Sequence, residues 1–202
     1  LIKFENSIVK EKQILLKNQL MVTKSLIGTI LENEKDFALA KKQIITLLSG
    51  IRYLDDNSGY FFAYEQREDG YYFGFHPTKP NLNNKKTDIT EPDVKGFAFR
   101  QDLIKYAKEE KYVIYHYERP KTKEIVSKMA SSIYIPELNW VVVTGIYVDD
   151  IEKQMIELEK ELNKETNTAL FITIIATLVL IILCIIVVLP LVNSILLKPI
   201  SK

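Results

Sequence analysis

Between Glu165 and Lys198 the chain carries no charged residue, and from Ala169 to Val192 only Thr173, Thr177 and Pro190 interrupt an apolar or small run. At about 1.5 Å rise per residue, roughly 20 such residues cross the ~30 Å hydrocarbon core of a bilayer. A core helix is shorter than this, and a signal peptide is N-terminal. The run predicts a membrane span over residues 169–192, with lipid as its neighbour. It limits everything else in the chain to one water-soluble module of ordinary size. The chain begins at Leu1, not Met, so an upstream segment, such as another membrane helix, is expected before it.

The whole chain is balanced in charge, with 27 Lys and Arg against 26 Asp and Glu. The balance gives no electrostatic case for nucleic acid, which favours a clustered basic face. The single cysteine, Cys184, lies inside the apolar run. A disulfide framework and thiol chemistry are thereby excluded from the soluble part.

Hydrophobic spacing predicts the elements. Ile8, Leu15 and Val22, with Val9, Leu16, Leu20, Ile27 and Leu31, recur at threes, fours and sevens, the mark of a long amphipathic helix. Asp36 is placed to cap a second helix with a stripe at Phe37, Ile44, Leu48 and Ile51. Five strand-like runs follow, at 60–64, 71–75, 112–117, 125–135 and 139–148. Short turns at 67–70 and 136–139 make hairpins of the first two and the last two. A polar stretch at 78–92 reads as a solvated loop or lid, followed by a helix near 97–109 with Phe99, Leu103, Ile104 and Ala107 inward. Helices first, then an antiparallel sheet with one inserted helix, define an α+β domain. Asp149 and Asp150 begin a last helix, in which Ile151, Met155, Leu158, Leu162 and Ala169 keep a spacing near 3.5, the period of a coiled-coil seam. No glycine or proline separates it from the apolar run, so a rigid joint to the membrane is expected.

In the first strand Tyr60, Phe62 and Tyr64 share one face, and Phe61 and Ala63 the other. Both faces are apolar, so protein should cover both. Packing of a dry core is the plain reading of such a run. Tyr60, Tyr64, Tyr71, Tyr72, Tyr115, Tyr117 and Tyr147 supply more hydroxyls than a dry core accommodates, since each buried one needs a partner. A small polar cavity is the better expectation. Catalysis would need a nucleophile or a matched carboxylate pair, and none stands out. Metal binding would need ligands at a set spacing, and the only imidazoles are His76 and His116. No cofactor is implied. His76, before the strand-ending Pro77, suits a hydrogen-bond donor at a pocket edge and equally a structural residue. Arg52 follows the second helix, and Lys128 lies in mid-strand between Val126 and Ala130. Lysine on an exposed strand face is ordinary, so Lys128 alone leaves that reading open. Together with tyrosine hydroxyls the two cations would form an anion site.

The order of motifs resembles the second single-Cache subfamily of bacterial transmembrane receptors. The match runs through GYFFAY at 59–64, HPTKPNL at 76–82, the helix start at Asp93–Phe97 and Tyr117–Pro120. It continues with Lys128 in SKMASS and with NWVVVTGIYVDDIE at 139–152. The resemblance implies a PAS-like antiparallel sheet on a long N-terminal helix, the Cache fold, standing outside the cytoplasmic membrane. It divides the chain into an N-terminal helix (1–36), a ligand-binding domain (37–150), a connecting helix (151–168), the span (169–192) and the start of a HAMP-like linker (193–202). It implies a homodimeric receptor, taken first as a methyl-accepting chemotaxis protein with a cytoplasmic signalling module beyond Lys202. A sensor-kinase input domain, or an anchored interaction module without a small ligand, is the alternative. The implied ligand is a small organic acid such as acetate, propionate, pyruvate or lactate. Arg52, Tyr60, Phe62, Tyr64, His76, Tyr117 and Lys128 are its expected contacts, with positive charge from Arg52, His76 and Lys128. KYVIYHY before Pro120 and the bulky Tyr71-Tyr72-Phe73 depart from the family pattern and leave the ligand's size open.

Overall fold

The computed structural model describes residues 2–109 and 111–196. The chain divides into two compact units, residues 1–153 and 154–202. In the first unit, helices α1 (Ile2–Asn33) and α2 (Phe37–Gly50) precede strands β1 (Tyr60–Arg67) and β2 (Gly70–Phe75). Helix α3 (Phe99–Tyr106) and strands β3 (Tyr112–Glu118), β4 (Ile125–Ile135) and β5 (Trp140–Tyr147) follow, and helix α4 (Asp149–Leu196) begins at the end of this unit and belongs mostly to the second. Asp36 caps α2 as its position implies, its Oδ1 accepting from the amides of Ala38 and Leu39 at 2.9 and 3.1 Å.

The five strands form one antiparallel sheet in the order β2-β1-β5-β4-β3. Asn139 turns the β4–β5 hairpin with φ +51°, a left-handed conformation that asparagine tolerates. Alternation along β1 and β5 buries side chains on both faces. On one face Phe61, Ala63, Phe75, Trp140 and Val142 pack against Leu20 and Ile27 of α1 and Ile44 and Leu48 of α2. On the other, Tyr60, Phe62, Tyr64, Val141 and Val143 pack with Tyr115 and with Phe99 and Leu103 of α3. Ala107 is buried as expected, while Ile104 is half-buried.

Two stripe positions fall elsewhere than the spacing predicts. Val22 is 67% exposed and Phe37 53% exposed, and the buried positions are Leu16, Leu20, Thr23 and Ile27 in α1, with Ala40, Ile44 and Leu48 in α2. Several apolar stripes coexist on so long a helix, and the sheet selects only one of them. The stretch at 78–92 is more ordered than its polarity suggests. The Phe73 amide donates to Lys85 O, Asn84 N to Phe73 O and Thr87 N to Tyr71 O, so residues 84–87 line the outer edge of β2.

In the second unit, residues 163–192 are long and apolar enough to cross a membrane, with a mean hydropathy of 3.5 and no part of that segment buried in protein. Helices that are apolar all round belong in a core or in lipid. The side chains of Ile151, Met155, Leu158 and Leu162, the expected seam, lie outside the described residues, as do Lys198, Pro199 and Ile200.

The selected stripe is testable by truncation. Leu20→Ala or Leu48→Ala removes a fully packed side chain and should cost about 2–5 kcal/mol in urea unfolding of residues 1–165. Val22→Ala should stay within ~0.5 kcal/mol of wild type.

Candidate functional site

Among the described residues, Lys128 is the only charged one with no exposed surface. Its place on β4 sets it in register between Tyr115 of β3 and Tyr147 of β5. Small residues make room for its stem. A Cβ added at Gly145 would lie 2.8 Å from Lys128 Cε and 2.9 Å from the Ala130 Cβ. Along that gap the ammonium reaches Tyr60, donating from Nζ to Oη at 3.0 Å. It also lies over the rings of Tyr60 (4.1 Å), Tyr147 (5.0 Å), Tyr117 (5.5 Å) and Phe62 (5.9 Å). Cation–π contact offsets part of the cost of desolvation. Among the described residues no carboxylate forms an ion pair with Lys128.

His76 closes β2 at the same cluster. Its amide donates to Asn83 Oδ1 at 2.7 Å, and its Nδ1 lies 3.3 Å from Thr78 Oγ1. The ring stacks on Phe62 at 5.1 Å and meets Tyr60 at 5.7 Å and Phe73 at 5.9 Å. Burial, then the Lys128 and Lys79 ammoniums, push its pKa down to about 3. His76 is therefore neutral at pH 7, and the expectation that it lends positive charge is corrected: it offers a hydrogen-bonding ring.

The tyrosines divide by environment. Burial pushes Tyr64, Tyr115, Tyr117 and Tyr147 above the usual phenol value. Burial acts the same way on Tyr60, but the adjoining Lys128 ammonium outweighs it and holds that hydroxyl below its usual value. Tyr64 meets Phe62 edge-on at 5.5 Å, and half-buried Tyr117 lies under Lys79 at 4.9 Å. Arg52 is not brought to this cluster. Its Nη1 donates to Ser49 O at 2.9 Å and Ile51 O at 2.7 Å, satisfying carbonyls at the end of α2.

The structure adds residues that the sequence reading did not place in the site. Tyr147 stands beside Lys128 and donates to Glu118 O at 2.7 Å. Tyr115 stacks on Phe99 with centroids 4.0 Å apart and 3° between planes. Arg100, with its side chain 11% exposed, lies over Phe99 at 4.7 Å and pairs with Glu91. Its charge acts on Tyr64, Tyr117 and His76. Asp93 Oδ2 accepts the His116 amide at 2.7 Å, and its Oδ1 accepts those of Lys95 and Phe97. Strand alternation alone could have included Tyr115 and Tyr147. Arg100 had no periodic signal.

A five-stranded antiparallel sheet with α1 and α2 on one face, and α3 and a cation enclosed by aromatic rings on the other, is a PAS-like architecture. The chain belongs to the Cache domain family, whose model matches residues 1–171. It is 31% identical over 154 residues to the sensor histidine kinase MctS of Rhizobium johnstonii, covering 75% of this chain and 32% of that protein. The chain thus spans about a third of that relative's length. The crystal structure of a methyl-accepting chemotaxis protein from Vibrio parahaemolyticus RIMD 2210633 superposes with a TM-score of 0.66 at 23% identity, over 74% of this chain and 97% of that one. A second structure, described as "Structural basis for carboxylic acid recognition by a Cache chemosensory domain", gives 0.61 at 22% identity, over 71% and 97%. Both show the shared fold.

Neutral burial of His76 has a pH signature. Its folded value of about 3 lies below the ordinary 6.5, so the unfolded chain binds more protons throughout that window. Stability present above pH 6.5 is lost as pH falls toward 3, at up to ~1.4 kcal/mol per pH unit. Urea unfolding of residues 1–165 between pH 6.5 and 5 should show this slope, and His76→Asn should flatten it.

Proposed function

We propose that this chain is the extracytoplasmic sensing region and following membrane helix of a bacterial receptor, and that the Lys128 cluster binds a small carboxylate. The observation that carries the reading is an enclosed ammonium with a tyrosine hydroxyl for a partner and no paired carboxylate among the described residues. A buried cation is costly until it is paired. An incoming carboxylate supplies the missing charge, with the Tyr60 hydroxyl, 3.0 Å from the ammonium, and the neutral His76 ring, 5.7 Å from that of Tyr60, to complete its shell. Phe62, Tyr64 and Tyr117 wall the apolar end. Acetate, propionate, pyruvate and lactate fit this chemistry, and one structure with the same fold is described as recognising carboxylic acid.

Signalling in this reading is a population shift: ligand favours one arrangement of sheet and helices, and α4 carries the bias toward the membrane. A ligand with equal affinity for both arrangements would send no signal. Residues 37–150 act as the binding domain, 151–168 as connecting helix, 169–192 as span and 193–202 as the start of a linker to a cytoplasmic module. The receptor is read as a chemoreceptor. The 31% identity to a sensor kinase supports a kinase input domain as the second reading.

The binding test uses the full chain in nanodiscs. A two- to four-carbon monocarboxylate at ~100 times its Kd should add roughly 2.7 kcal/mol, several degrees in melting temperature. Lys128→Met removes a charge-assisted bond worth ~1.5–3 kcal/mol and should weaken binding at least about tenfold by calorimetry. The ligand-free variant should keep its stability. A large loss of stability with unchanged affinity would make Lys128 a structural residue.

Assembly has its own test. The 3.5-residue spacing from Ile151 to Ala169 supports pairing of two copies near the membrane. Cysteines placed at Leu158 and Leu162 should cross-link in membranes faster than cysteines at Glu157 and Lys160.

A further inference from the structure

Arg100 is a further cation beside the aromatic cluster, and its present side-chain partner belongs to the loop next to it. Its Nη2 pairs with Glu91 Oε2 at 3.0 Å, and its Nη1 donates to Glu91 O at 3.1 Å. Its Nε is buried with no hydrogen-bond partner among the described residues. The guanidinium lies 4.7 Å from the Phe99 ring, which stacks on Tyr115, and Tyr115 stands in register with Lys128. Arg100 thus belongs to the same group of side chains as the proposed ligand site, while Arg52 does not.

The two acids near Arg100 differ in how they are held. Asp88 Oδ1 accepts from the Thr90 amide at 2.8 Å and the Thr90 hydroxyl at 2.6 Å, so it is engaged within its own turn. The Glu91 side chain is 61% exposed. Ion pairs open to water are weak and exchange readily. Asp93, two residues on, is fixed by amides of Lys95, Phe97 and His116. Glu91 can leave while the loop stays anchored behind it.

We propose that Arg100 is a second carboxylate-receiving group beside the Lys128 cluster, and that Glu91 occupies it as an intramolecular competitor until a ligand carboxylate displaces it. The proposal rests on the carboxylate reading of the Lys128 cluster and adds to it. Guanidinium and carboxylate match as a two-pronged pair, so a ligand carboxylate reaching Arg100 takes over the contacts that Glu91 gives up. The Glu91 carboxylate then sets affinity without touching the ligand. Its release is also the event by which loop 88–92 senses occupancy.

Calorimetry on the full chain in nanodiscs, with acetate, propionate, pyruvate, lactate and succinate as probes, tests this. Glu91→Gln, which removes the competing charge and keeps the shape, should tighten binding of at least one probe about three- to tenfold. Arg100→Met should weaken the same probe at least about tenfold. Amide exchange at residues 88–91 in ligand-free protein should be faster in Glu91→Gln than in wild type, a readout that needs no ligand and that keeps the test open if Arg100→Met fails to fold. A probe that binds wild type and Glu91→Gln equally, with unchanged exchange at 88–91, overturns the competitor and leaves the Lys128 reading standing. Binding by Glu91→Gln of a probe that wild type does not bind supports the competitor. Silence of every probe with both proteins overturns both readings.

Discussion

An ammonium enclosed in the centre of a sheet face is the interaction around which this domain is arranged. Lys128 has no exposed surface, and its charge is met by one phenol hydroxyl and four aromatic faces. Several features of the sequence follow from that placement. Gly145 must stay without a side chain, because the lysine stem and the Ala130 methyl already fill the space beside it. The surrounding rings must be tyrosines as well as phenylalanines, since a ring face attracts the cation but only a hydroxyl accepts its hydrogen bond. His76 must stay neutral in such company, and burial beside two ammoniums ensures that it does.

The opposite face of the same sheet has no comparable tension. Leucine, isoleucine, phenylalanine and tryptophan side chains fill it from α1, α2 and the strands. One sheet thus separates a stabilising layer from a layer that tolerates polar strain. The apolar layer supplies the stability against which an unpaired charge can be held in place.

Much of this was readable beforehand because β-strands state their period plainly. The two apolar faces of β1, the hairpins at 67–70 and 136–139, and the Asp36 cap are local signals, and local physics decides them. The first helix was less legible: its apolar residues describe more than one stripe, and only the sheet's position decides that Leu20 is inside and Val22 outside. The clustering of side chains was legible where alternation governs, at Tyr60, Phe62, Tyr64 and Lys128. It was not legible for arginines, whose long side chains reach in directions that backbone pattern does not fix. Arg52 turns back onto the carbonyls of α2, and Arg100, on a short helix, turns toward the rings. The polarity of 78–92 concealed its backbone pairing with β2, because such pairing depends on main-chain groups common to all residues.

The treatment of the sheet's two margins bears on colloidal behaviour. Residues 84–87 occupy the outer margin of β2, and the Asp93 carboxylate engages the His116 amide on β3. Exposed strand margins recruit further strands and seed aggregation. Asp93 belongs to the same loop as Glu91, so a wide swing of that loop would uncover a template for fibril-like growth. Movement confined to Glu91, with Asp93 still seated, keeps that template capped. Solubility therefore favours a sensor whose loop responds by exchanging one side chain rather than by lifting away.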